Sequence, residues 1–282
     1  MTSLEPAAKP PAPPEGGRPA RAPSRPRRRR RLSRGLPVLS SVGGVVLWQL
    51  IGQFAVENSL FLATPLQALR ALWELAVSGE LWTDMWVSGI EFFGGYVLAG
   101  AVGILVGLLM ASSRTVSGIL SPWVSGFYAT PIIALAPLLI LWFGIGPASK
   151  IAVVFSLVVF PVIINTEAGV RATDRDIIEA ARAFGATGPQ LFTKISAPSA
   201  LPHILTGLRL GVARGLIGVV VGELFGANEG LGHLILNAAQ VFNMPRLFAG
   251  LIVLALVGIA LNEAFLVAER RIVHWQNIDD TL

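Results

Sequence analysis

The chain contains no cysteine among its 282 residues. Disulfides, thiolate metal sites and cysteine nucleophiles are therefore excluded. Histidine is scarce as well: His203, His233 and His274 are the only three, and none is paired at HExxH spacing. That argues against a metalloenzyme. Charge is the most telling shortage. Asp, Glu, Lys and Arg make up 14% of the chain, against about 25% for an ordinary soluble domain. Hydrophobic residues make up 53%, and the mean hydropathy is +0.66. A surface so poor in charge is not built for water. There is also no GxxxxGKS/T phosphate loop, so any ATP hydrolysis belongs to another polypeptide. The apolar stretches hold no cluster of polar catalytic groups, and no catalytic, metal-binding or cofactor-binding residue is assigned.

What is present is a series of apolar runs of about 20 residues, each long enough to cross a hydrocarbon core as a helix. The sequence predicts an all-α membrane protein with six spans, at about 36–56, 92–111, 123–143, 151–168, 206–225 and 247–268. Between the first two, residues 65–78 read as an amphipathic external helix with Leu66, Leu69, Leu72, Trp73 and Ala76 on one face. Trp82 and Trp86 follow as interfacial anchors. Residues 228–242 form a second amphipathic piece, with Leu231, Leu234, Ile235, Ala238, Ala239 and Phe242 at helical spacing.

The basic residues are unevenly distributed. Residues 1–35 carry Lys9 and nine Arg against Glu5 and Glu15, a net charge of +8, while the remainder is −3. This Pro- and Arg-rich segment lacks large apolar residues and is expected to be a disordered cytoplasmic tail. The run Arg27–Arg31 lies just ahead of the first apolar span, where basic residues retain the N-terminus in the cytoplasm, so a nucleic-acid partner is not inferred. A cleaved signal is disfavoured by the length of the basic region and by the absence of a small-x-small site near Phe54–Asn58. Arg114, Arg171, Arg175, Arg182, Lys194, Arg270 and Arg271 fall on the same side, and only Arg70, Lys150 and Arg246 on the other. Both termini, including a C-terminal tail at 276–282, are therefore expected inside a bacterial cytoplasmic (inner) membrane, with the lipid bilayer as solvent.

Three features suggest how the spans work. Gly207, Gly211, Gly215, Gly218, Gly222 and Gly226 fall on one stripe of the fifth span, and Gly95, Ala99, Gly103 and Gly107 on one stripe of the second. Such stripes let another helix approach closely. Pro131, Pro137 and Pro161 interrupt the third and fourth spans, so these helices are expected to face protein or water, either at simple kinks or beside a pathway. Ionisable residues inside spans are costly. Arg214 and Glu223 are therefore candidate pathway residues with Pro131 and Pro137. Arg209 lies close enough to the interface to snorkel. For Arg214 two readings stand: a buried ion pair or bond to loop carbonyls, or a cationic step for a small anion.

The segment between the fourth and fifth spans carries the most specific pattern. Thr173, with Asp176 three residues on, is expected to cap a helix over 174–184, and Gly185 suits the left-handed position after it. Thr187 with Gln190 restarts a helix whose apolar face is Leu191, Phe192 and Ile195, and Pro198 is expected to stop it. Two short helices would then expose Phe184, Leu191, Phe192 and Ile195 to a partner groove.

The string Glu179-Ala180-Ala181-Arg182-Ala183-Phe184-Gly185, then nine residues, then Ile195-Ser196-Ala197-Pro198 resembles the EAA loop of ABC-importer permeases. Ala197 stands where that family usually has Leu. The resemblance runs from about Thr83 to Trp275. The segments Thr130–Pro137, Leu141–Gly146 and Gly230–Gly232 are similar to the branch serving nitrate, taurine and aliphatic sulfonates. Related permeases carry thiamine-precursor pyrimidines, riboflavin and other small solutes. The resemblance implies a permease domain at 84–275, preceded by a first span and external helix at 36–83. It also implies an EAA loop at about 171–200 that docks on an ABC ATPase dimer, with ATP bound by that partner. Glu179, Ala180, Ala181, Phe184, Gly185, Leu191, Phe192, Ile195 and Pro198 would form the coupling surface. A solute-binding protein, periplasmic or extracellular, would deliver substrate to two permease copies, expected to be a homodimer. A secondary transporter, a channel or a membrane-embedded enzyme would leave this loop unexplained.

Overall fold

The computed structural model describes residues 29–55 and 62–273. The Arg/Pro-rich segment 1–28 and the C-terminal residues 274–282 lie outside the described residues. The first helix, α1, runs Arg29–Leu50 and continues as a π-helical turn over Ile51–Ala55. It begins at Arg29 rather than Leu36, so part of the basic run is already helical. Next come α2 (Pro65–Ser78), α3 (Glu80–Ser112) and α4 (Arg114–Ala129). A 3-10 turn over Ile132–Leu135 leads into α5 (Ala136–Phe143) and then α6 (Pro147–Arg171). The segment after α6 holds α7 (Arg175–Ala183), α8 (Gly188–Leu191), a π turn over Phe192–Ser196 and α9 (Ala197–Ser199). The chain ends with α10 (Leu201–Leu224), α11 (Leu231–Gln240) and α12 (Met244–Ile272).

Among the described residues, α3, α6, α10 and α12 are each long and apolar enough to cross a membrane. A fifth crossing exists if α4 and the segment Ile132–Phe143 count as one broken span, because they meet at 85°. The third span expected over 123–143, with interruptions at Pro131 and Pro137, is two helices. The break falls at Thr130–Pro131, where Pro131 cannot donate to the ladder and disfavours a helical conformation at Thr130. Pro137 sits in the first turn of α5, where its missing N–H costs nothing.

At the centre of the bundle is α6. Its most apolar window is 56% buried, against 6% for α12. Both glycine stripes converge on it. A Cβ placed on Gly95 of α3 would lie 2.5 Å from Val154 Cβ and 2.7 Å from the Ile151 carbonyl oxygen. On Gly103 it would meet Val162 at 2.8 Å, and on Gly107 Thr166 at 2.6 Å. The matched numbers rise together, so α3 and α6 run parallel. On α10 the order reverses: Gly207 faces Asn165, Gly211 faces Val158, Gly218 faces Val154 and Gly222 faces Lys150. Hence α10 is antiparallel to α6. Val154, Val158, Val159, Val162 and Ile163 fill the seam together with Phe92, Ala99, Val212 and Val219.

The amphipathic helix α2 has the expected bounds, and its packed face overlaps the expected one only in part. Ala68, Ala71 and Leu75 are buried, and Leu72 and Ala76 pack beside Ala71 and Leu75 as expected, whereas Leu66, Leu69 and Trp73 are exposed.

Overpacking a tight seam costs about 1–3 kcal/mol. Gly95→Val and Gly107→Val are therefore expected to lower the detergent melting temperature of the subunit by several degrees. Gly118→Val on α4, where nothing lies within 4 Å of the added Cβ, should melt much closer to the parent protein. Equal melting of all three in a fluorescence-detected thermal ramp would contradict the seam.

Candidate functional site

The segment joining α6 to α10 lies at the bundle end shared by Arg171 and Leu201. It leaves α6 through Thr173, which is buried and donates its hydroxyl to the Val170 carbonyl at 2.8 Å. Thr173 is therefore not the cap of the next helix. That role falls to Asp174, whose carboxylate accepts from the Asp176 N–H at 2.9 Å. The helix α7 closes at Phe184, and Gly185 adopts φ +83°, the left-handed conformation expected of it. At the restart, the Gln190 side chain accepts from the Thr187 N–H at 2.9 Å. Pro198 does not stop the chain: it lies in the first turn of α9, which passes through Ala200 into α10.

Exposure within this segment differs from the expected four-residue knob. Phe184 is 93% exposed, and Ile177, which sequence periodicity did not single out, is 52% exposed. Glu179 and Ala180 are also exposed, and Ala181 is half-buried. Leu191, by contrast, is buried, and Phe192 packs on Val170, Ala200 and Ile204. Ile195 is half-buried and Pro198 exposed. The second half of the segment is thus an anchor that fixes the hairpin to α6 and α10, while α7 presents the outward face. Nearby, Arg171 pairs with Glu167 at 2.7 Å, and Ser117 of α4 bridges both.

The candidate pathway residues are not gathered in one place. Arg214, midway along α10, donates to the Tyr128 hydroxyl at 2.9 Å, and its guanidinium carbon lies 4.8 Å from the centre of that ring. Tyr128 sits on the last turn of α4, just ahead of the break at Pro131. Among the described residues no carboxylate forms an ion pair with Arg214. Pro131 and Pro137 are exposed.

Glu223, two and a half turns further along α10, is 1% exposed. Its carboxylate accepts from the Ser88 hydroxyl at 2.5 Å and from the Gly232 N–H at 2.5 Å. Ser88 in turn accepts from the Leu231 N–H at 2.9 Å, and Asp84 accepts from the Gly230 N–H at 2.8 Å. Three consecutive donors at the start of α11 are satisfied by side chains of α3 and α10, while Gly230 at the N-cap offers none of its own. This explains Gly230-Leu231-Gly232. At Gly230, φ is +119° and a Cβ would fall 2.4 Å from the Glu223 carboxyl carbon. At Gly232 a Cβ would meet the Val220 carbonyl oxygen at 2.8 Å. Glu91 is buried beside Glu223, and Lys150 is 3% exposed with its ammonium donating to the Gly226 carbonyl at 2.7 Å. Lys150 is therefore an internal tie and not an external surface charge. A polar cavity of about 340 Å³ opens alongside, lined by Glu80, Asp84, Glu229, His233, Asn237 and Arg246 among others. Sequence reading missed Asp84, Ser88 and Glu91. Their one signal was polar residues at four- and three-residue spacing, on one face, at the outset of an apolar helix.

Comparison with known proteins adds a family, two relatives and a solved structure. The family model described as "Binding-protein-dependent transport system inner membrane component" matches residues 103–274. The chain is 34% identical over 233 residues to the putative aliphatic sulfonates transport permease protein SsuC of Bacillus subtilis, covering 83% of this chain and 84% of that one. It is 32% identical over 236 residues to the taurine transport system permease protein TauC of Escherichia coli, covering 82% and 86%. Among solved structures, an inward-facing MetNI methionine ABC transporter chain superimposes with a TM-score of 0.58 at 22% identity, covering 67% of this chain and 94% of that one. That likeness concerns the fold.

The opposite environments of Phe184 and Leu191 make a direct test of the loop geometry. Leu191→Ala should cost about 2–4 kcal/mol of stability, as truncation of a buried Leu does. Phe184→Ala should change stability by less than about 0.5 kcal/mol. Thermal melts of the purified subunit compare the two, and equal losses would place both side chains in the same environment.

Proposed function

The chain belongs to the family of binding-protein-dependent transport system inner membrane components, and from that membership we propose that it is the permease subunit of an ATP-driven importer for small sulfonates of the taurine and alkanesulfonate class. The sulfonate and taurine relatives support the substrate class. The observation that carries the coupling role is the hairpin of α7 and α8, with Gly185 left-handed and Phe184 outward, held between two long apolar helices.

In this reading the chain crosses a bacterial inner membrane six times, through α1, α3, the bent α4–α5 pair, α6, α10 and α12. Both termini and the hairpin are cytoplasmic, where Arg114, Arg171, Arg175, Arg182, Lys194, Arg270 and Arg271 collect. The exposed face of α7, with Ile177, Glu179, Ala180 and Phe184, docks in a cleft of the ATPase subunit. ATP is bound and hydrolysed there, and the chain itself contributes no catalytic group. Two copies of the permease form the translocation unit. A solute-binding protein docks at the opposite end, on the surface formed by α2 and α11. ATP binding and the loaded binding protein then bias the same pair of conformations, inward-open and outward-open.

Arg214 is the anion step of the pathway. A guanidinium midway along a span, with no carboxylate partner, is stable only against water, protein or an anion. Its planar fork matches a sulfonate. Tyr128 holds one edge of that fork, no other side-chain partner of it is found among the described residues, and the chain breaks at Pro131 close by in sequence.

Two measurements test these assignments. Phe184→Asp and Gly185→Arg should leave the subunit in the membrane but abolish co-purification of the ATPase. Retention of the ATPase by both would remove the hairpin from the coupling role. Arg214→Gln should retain the ATPase and lower taurine or ethanesulfonate uptake by at least about tenfold, the loss expected for one charge-assisted contact. Arg214→Lys should fall between. Normal uptake by Arg214→Gln would exclude the anion step, and uptake of a pyrimidine or flavin by the parent complex would redirect the substrate class.

A further inference from the structure

The clamp at the start of α11 does more than satisfy backbone donors. The link from α10 to α11 is six residues, Phe225 to Gly230, and contains two glycines. Such a link gives little orientation to the helix that follows. Orientation comes instead from side chains: Glu223 on α10, and Ser88 and Asp84 on α3, hold the Gly230, Leu231 and Gly232 N–H groups. A carboxylate bonded at a helix N-terminus in a dry site is a strong and directional tie.

The other end of α10 is fastened just as firmly. Ala200 and Ile204 pack with Val170 and Phe192. The Ile204 N–H donates to the Ala200 carbonyl at 2.9 Å, and the Ala200 N–H to the Ser196 carbonyl at 3.1 Å. Backbone hydrogen bonds through Ala200 therefore link the π turn of the hairpin to α10, although Pro198 and Pro202 donate none of their own. Between its ends α10 is a single helix from Leu201 to Leu224, seated on α6 through its glycines. One rigid element thus joins the cytoplasmic hairpin to the external helix.

We propose that Glu223 is a positioning residue for transport: together with Ser88 it locks α11 to α10 and α3, so that docking of the solute-binding protein on α11 is felt at the coupling hairpin along α10. This rests on the permease reading above and names the residues that transmit its regulation across the membrane.

The test uses the complete transporter in proteoliposomes, with its own binding protein and taurine. ATPase turnover is measured with and without the loaded binding protein. Glu223→Gln replaces one acceptor oxygen by an NH2 that faces another donor, and Ser88→Ala removes the hydroxyl between Glu223 and Leu231. Both variants should keep the ATPase bound and keep basal turnover. Stimulation by the loaded binding protein should fall about tenfold in Glu223→Gln, as expected for one lost buried charge-assisted hydrogen bond, and less in Ser88→Ala. Ser88→Thr, which restores a hydroxyl, should recover it. Hydrogen exchange at the Leu231 and Gly232 amides should speed up in the two defective variants while α6 stays protected. Full stimulation in Glu223→Gln would overturn the proposal. So would a parallel loss of assembly and basal turnover in both variants, which would make the clamp a folding element only. Failure of the parent chain to retain any ATPase would instead defeat the permease reading.

Discussion

The structure depends on how closely backbones can approach α6. A bilayer supplies no hydrophobic drive between helices, because a leucine in lipid is as well solvated as a leucine against protein. Association then rests on dispersion over the largest possible contact, and contact grows as side chains shrink. Gly95, Gly103 and Gly107 on α3, and Gly207 and Gly211 on α10, bring their helices onto α6 at distances of less than 3.0 Å from an added Cβ, and Gly218 and Gly222 continue the close approach at about 3.0 Å. Val154, Val158 and Val162 fill the spaces, and as β-branched residues they have little rotamer freedom to lose. The α7–α8 hairpin, the α11 clamp and the Arg214 site are all carried on the ends or flanks of this three-helix unit.

Polar groups in such an interior must find partners nearby. α11 could have been capped locally, as α2 is by Thr64 and Gln67. Instead its donors are met from two other helices, and Gly230 and Gly232 stay bare so that the Glu223 carboxylate can enter. A local cap stabilises one helix, whereas a distant cap also fixes where that helix points. The same logic holds at the other end, where Ser117 links α4 to Glu167 and Arg171 of α6, and at Lys150, which ties α6 to the end of α10 through Gly226.

Much of this was legible in the sequence for one reason: the informative residues were small or backbone-directed. The glycine stripes named the packing faces of α3 and α10, Gly185 named a left-handed turn, and the spacing around Glu179 named the hairpin. Apolar side chains misled. Of the face of α2 drawn from Leu66, Leu69, Leu72, Trp73 and Ala76, only Leu72 and Ala76 pack inward, and Leu66, Leu69 and Trp73 are exposed. Leu191 was expected outside. It is buried, and the adjacent Phe192 packs on Val170, Ala200 and Ile204, which lie outside the π turn and are announced by no local pattern. The cap was expected at Thr173 and falls on Asp174, because Thr173 gives its hydroxyl to the Val170 carbonyl. Asp84, Ser88 and Glu91 were invisible because their partners lie more than a hundred positions away.

The break between α4 and α5 also bears on the thickness of the membrane beside it. Sixteen residues of α4 rise about 24 Å, less than the roughly 30 Å of a typical hydrocarbon core. The chain then turns through 85°, so α5 does not extend the axis of α4, and Leu141, Trp142 and Phe143 are exposed on it. A crossing this short is accommodated by local thinning of the bilayer or by polar groups drawn inward along it. Tyr128, on the last turn of this short helix, is the partner of Arg214, so polar groups drawn inward along α4 would arrive beside that guanidinium.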